Sequence, residues 1–134
     1  MITVNQYSIK ILNKLWELAA ANDGYCKLDN AHGIFTPLVI ERIKQDQLSL
    51  CHYGKMHGGL MRDPEMVFLR GDDQHWYPIC FRADYVGKEI LAITITGTTI
   101  KYDEKLQADQ VPMAELWIRS LAVQQNLKEA DHAG

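Results

Sequence analysis

The sequence predicts an α+β domain: an N-terminal helix, an antiparallel meander of about five strands and a C-terminal helix packed on the sheet. Residues 4–21 and about 109–126 each space apolar residues three and four apart, the period of one helical face. Between them the chain breaks into short runs rich in Val, Ile, Thr and aromatics, separated by Gly, Asp and Asn. The order helix, strands, helix then gathers both helices on one sheet face. At 134 residues the chain is expected to form one domain over 1–134, with 127–134 a frayed polar tail.

The first helix carries its stripe on Val4, Tyr7, Ile11, Leu12, Leu15, Leu18 and Ala19. Thr3 or Asn5 can cap it, and Asp23-Gly24 stops it. Trp16 falls beside the stripe and is expected to be half exposed. Tyr25–Leu28 reads as a short strand. A hairpin follows over 38–53, turning at Asp46-Gln47. KMHGG opens a loop before LMRDPEMVFLR, where Asp63-Pro64 sets a kink ahead of the strand.

Arg70-Gly71-Asp72-Asp73 forms the next turn, and Pro78 marks WYPICFRAD as an edge or bulged strand. EILAITIT reads as one β-branched strand, and GTTIKYDE ends the β region. In the last helix Val111, Ala114, Trp117, Ile118, Leu121 and Ala122 line up. Asp109 is its expected cap, which places Pro112 in the first turn, where a missing N–H costs nothing.

Apolar residues make up 47% and charged residues 23%, ordinary globular usage. No run of about 18 apolar residues exists to span a membrane. The amphipathic start, interrupted by Asn13, Lys14 and Glu17, does not read as a secretory signal, so a soluble cytoplasmic protein is expected. Net charge is −3, with 14 basic residues scattered along the chain. Lys55, Arg62 and Arg70, with stacking by Trp76 or Tyr77, make the densest footprint for nucleic acid. Of the three cysteines, Cys51 and Cys80 lie in apolar runs and read as buried free thiols.

Candidate chemistry concentrates in residues 52–78, which hold three of the five histidines. His52, His57, Asp63, Glu65 and His75 are ligand types suited to zinc, yet they show no HxxxH, CxxC or HExxH spacing. They support a metal-dependent hydrolase or nuclease as the alternative reading; no cofactor is expected. Cys51 and His52 cannot pair as nucleophile and base, because neighbours on a strand point to opposite faces. KMHGG lacks both a phosphate-loop pattern and a following helix. The leading expectation is a protein partner bound through Tyr53, Met56, Arg62, Arg70, Trp76, Tyr77 and Arg82, residue types enriched in interface cores. An uncovered sheet face would favour a homodimer, since residues 89–96 are apolar on both parities.

Four stretches together resemble an uncharacterised family of small proteins carried by bacterial plasmids, integrative elements and phages, sometimes as domains of very large polyvalent proteins. They are the strand ending in His52-Tyr53, the LMRDPEM step, the WYP-x-x-F-x-x-D-x-x-G run from Trp76 to Gly87, and the helix bearing Trp117-Ile118-Arg119. The resemblance covers about 48–124. It implies an accessory role in a mobile element, for example inhibition of a host-defence or maintenance component, and carries over no catalytic residues.

Overall fold

The computed structural model describes residues 1–30, 33–56 (Lys55 and Met56 by backbone only) and 59–127. Helix α1 (Gln6–Ala20) leads into β1 (Tyr25–Leu28), β2 (Leu38–Ile43), β3 (Gln47–Met56), β4 (Gly59–Arg70) and β5 (Trp76–Ala83). A 3₁₀ turn (Asp84–Val86) precedes β6 (Lys88–Leu91), then β7 (Ile93–Thr96), β8 (Thr99–Tyr102) and helix α2 (Glu104–Gln124). Strands β1 to β6 form one antiparallel sheet in chain order, and β7–β8 is a separate hairpin. The α+β class holds, with six strands and a hairpin where about five strands were expected.

Helix α1 begins where Asn5 accepts from the Ser8 amide at 2.9 Å, satisfying an orphan donor of the first turn. Its apolar stripe packs with α2 on one sheet face. Ile11, Leu12, Leu15 and Ala19 meet Leu38, Ile40, Leu48, Leu50, Met66 and Phe68 from the strands and Ala114, Ile118 and Leu121 from α2. Trp16 is buried here and not half exposed. The Arg42 guanidinium lies 3.6 Å from its ring centroid and donates to its carbonyl, so a cation covers the ring where solvent was expected.

Helix α2 starts earlier than expected. Asp103, not Asp109, is the cap, accepting from the Leu106 amide at 3.0 Å. Pro112 therefore stands inside the helix and not in its first turn. Its ring removes the donor that the Ala108 carbonyl would use, and both residues lie on the solvent side, where water can substitute.

EILAITIT is likewise two strands. The chain leaves the large sheet at Ala92, whose amide donates to the Ile79 carbonyl, and folds as β7 over the opposite face. There Ile93 and Ile95 cover Val67, Leu69, Tyr77, Ile79 and Cys80. Pro78 lies in a central strand beside a register shift, so the strand is bulged and not an edge. Asp63-Pro64 lies within β4 rather than ahead of it, at a second shift, where Cys51 faces Glu65 but Tyr53 faces Arg62.

Candidate functional site

The β7–β8 hairpin covers only half of the sheet face opposite the helices. On the other half the side chains are set by pleat and register. β1 contributes Tyr25 and Lys27, β2 Val39 and Glu41, β3 Ser49, Cys51 and Tyr53, β4 Arg62 and Glu65, β5 Arg82, and β6 Glu89. Arg62 and Glu65 are three apart and would take opposite faces in a regular strand. The extra residue at Asp63-Pro64 returns them to one face, where Arg62 Nη1 lies 3.7 Å from Glu65 Oε1.

From Glu65 a polar ladder crosses four strands. Ser49 Oγ donates to Glu65 Oε2 at 2.5 Å, Arg82 Nη1 donates to Glu65 Oε1 at 2.9 Å, and Arg82 Nε donates to Glu89. Arg62 forms a two-pronged pair with Asp84, Nε and Nη2 each donating at 3.0 Å, and its backbone amide adds a third bond at 2.7 Å. This bonding holds the Asp84 carboxyl below its usual range and the Arg62 guanidinium above its own. The 3₁₀ turn that carries Asp84 also lays Tyr85 across β3 at Gly54, where a Cβ would run into the Tyr85 hydroxyl. Glycine there lets the turn sit down on the sheet.

Beside the ladder, a groove of about 450 Å³ runs over β2, floored by Val39 and Glu41 and flanked by Tyr25, Lys27, Pro37, Tyr53 and Leu60. Its rim is apolar and open: Leu60 is 66% exposed, Tyr25 51% and Tyr53 39%. Large hydrophobics this exposed around one concavity suit contact with another macromolecule. Cys51 underlies Tyr53 but is not poised to react. Burial, aided by the Glu65 charge, pushes its thiol up to about 12. Burial and the neighbouring Cys51 likewise push the Tyr53 hydroxyl up to about 12.

The seven expected partner residues divide sharply. Tyr53, Arg62 and Arg82 share the open face, the two arginines already engaged with carboxylates. Trp76 is fully buried and stands edge-on to Trp16 at 5.6 Å, its indole N–H donating to Asn13 at 2.8 Å. It is a core residue out of a partner's reach, because its parity turns it toward the helices. Tyr77, of opposite parity, is buried in the second cluster, its hydroxyl donating to Asp73 Oδ2 at 2.6 Å. Arg70 lies at the far end of β4, its guanidinium 5.5 Å from the Trp16 ring centroid. The Met56 side chain, that of Lys55, and all of His57 lie outside the described residues.

Of the metal candidates, His52 is buried on the helix side. Its ring is 5.7 Å from that of Trp117, and Nδ1 is 3.2 Å from the Pro37 carbonyl oxygen. His75 belongs to the β4–β5 turn at the other end of the sheet, paired with Asp73 at 3.4 Å. Asp63 lies close enough to His52 to act on its charge, and Glu65 is held in the ladder. Among the described residues no three His, Cys, Asp or Glu side chains converge to hold a metal ion.

Sequence reasoning missed Tyr25, Lys27, Leu60, Asp84 and Glu89. The usable signal was parity. Val39 and Glu41 share a face with Cys51 and Tyr53 once the hairpin register is set, and β1 follows from β2.

No curated protein and no solved structure matches the chain. A family model described as a domain of unknown function (DUF6908) matches residues 7–127. That span takes in α1 from its second residue, the whole sheet, the hairpin and α2, and on it the chain belongs to the DUF6908 family.

Proposed function

We propose that the protein acts by binding a protein partner through the open half of the sheet, with Tyr53 and Leu60 as the apolar contacts. The observation that carries this is the exposed rim of the groove over β2 beside side chains already immobilised. Arg62, Glu65, Arg82 and Asp84 are held by one another, so little side-chain entropy remains to be lost on docking. The resemblance to small proteins of plasmids, integrative elements and phages supports an accessory role in a mobile element, with inhibition of a host-defence or maintenance component as its concrete form.

The test is affinity capture from host lysate with the wild-type chain, Tyr53→Ser, Leu60→Ser and, as control, Leu116→Ser on the exposed side of α2. The same captured protein should be lost with the first two variants and kept with the third. Equal capture by all four chains would remove the reading.

A further inference from the structure

The two edges of the six-stranded sheet complement each other. Strand β1 is one edge and β6 the other, and each is four residues long. The Arg42 amide donates to the Gly24 carbonyl, so alternation along an antiparallel pair turns the inner backbone groups of Cys26 and Leu28 toward β2. The backbone groups of Tyr25 and Lys27 then point outward; among the described residues only the Tyr25 amide of these is bonded, to the Asn22 carbonyl in the preceding turn. At the other edge the Ala92 amide donates to the Ile79 carbonyl, which turns Ile90 toward β5 and leaves Glu89 and Leu91 pointing outward.

We infer that β1 of one copy pairs antiparallel with β6 of a second copy. The register sets Lys27 opposite Glu89 and Tyr25 opposite Leu91. All four side chains lie on the sheet face away from the helices, and Tyr25 and Leu91 are 51% and 48% exposed. Opposite charges and an aromatic–aliphatic pair directly across a ladder are both stabilising. The alternatives are poorer. Pairing β1 with β1 about Lys27 opposes two lysines and about Cys26 sets Tyr25 against Lys27. Pairing β6 with β6 about Glu89 opposes two carboxylates and about Ile90 sets Glu89 against Leu91, so none of these homotypic registers forms an ion pair across the ladder. The contact is heterologous, joining two different surfaces, so it builds a ring or a chain of copies and not a two-fold dimer. It rests on the backbone of the sheet edges, whereas the groove contacts proposed for a partner are Tyr53 and Leu60; Tyr25 and Lys27 border both surfaces.

Sedimentation velocity on the full chain over a range of concentrations tests this, with K27E, E89K and an equimolar mixture of the two. Both positions are exposed, so both variants should fold. The wild-type mass should rise with concentration, and each single variant should weaken association by about tenfold. The mixture should recover it, because each variant's altered edge then meets an edge of opposite charge. On assembly, the backbone amides of Lys27 and Glu89 should gain protection from hydrogen exchange. A wild-type chain that stays monomeric throughout would overturn the inference, as would single variants that associate like wild type or a mixture that fails to recover. Loss of partner capture by Tyr53→Ser with assembly intact would separate the two surfaces.

Discussion

On the helix side of the sheet, Trp76, Phe68, Leu50 and Ile40 meet α1 and α2 in a continuous apolar cluster with tryptophans at its centre. On the other side, the hairpin seals the half around Val67, Leu69 and Cys80, while the remainder carries Ser49, Glu65, Arg62 and Arg82 beside an open groove. The same strands supply both faces through alternate residues. One face is thus closed by the helices and the other left partly open, and a substitution's effect depends on parity more than on position along the chain.

Trp76→Ala should show the largest stability effect, a loss of about 3–5 kcal/mol by chemical denaturation, because it empties a large fully buried volume and strands Asn13. A loss no greater than that of a surface substitution would break the contrast between faces. Glu65→Ala, at the centre of the ladder, should cost about 1–3 kcal/mol, since it deprives Ser49 and Arg82 of an acceptor on a partly covered face. A negligible cost would mean that water replaces the carboxylate freely and that the ladder is not rigid.

The smallest effect sharpens the boundary of the helix face. Burial lowers the pKa of His52 below its ordinary 6.5. The unfolded chain therefore takes up this proton first as pH falls below 6.5, and stability present above that value declines toward the lower folded value. Melting temperature should drop between about pH 7.5 and about pH 5.5, less steeply in His52→Gln than in wild type. Equal slopes would place the acid sensitivity elsewhere.

Much of this architecture was legible because apolar periodicity reports burial. The stripe of α1 and the β2–β3 hairpin follow from it directly, and the turn at Gly71 from its Gly and Asp residues. The first two turns of α2 did not, since their buried positions are Gln107 and Gln110, which accept from Ile2 and donate to Ile90 respectively. A pattern of apolar residues cannot register a helix that buries amides. Trp76 and Tyr77 looked alike as interface aromatics because composition is blind to which face a strand residue takes. The ladder was hidden for a related reason: the residue added at Asp63-Pro64 inverts the parity of Arg62 relative to Glu65, and bulges leave no periodic trace.

The meander order of the sheet also has a kinetic consequence. Each of the six strands pairs only with its neighbours in the sequence, so the sheet closes through short loops at small entropic cost. The contacts between chain ends are of another kind. The Ile2 amide reaches Gln107 across 105 residues, and the Asn5 amide reaches Glu115 across 110. During synthesis the sheet can therefore form before α2 has been made, with the face around Phe68 and Trp76 still waiting for its cover. Docking of the last helix then completes the cover over Phe68 and Trp76.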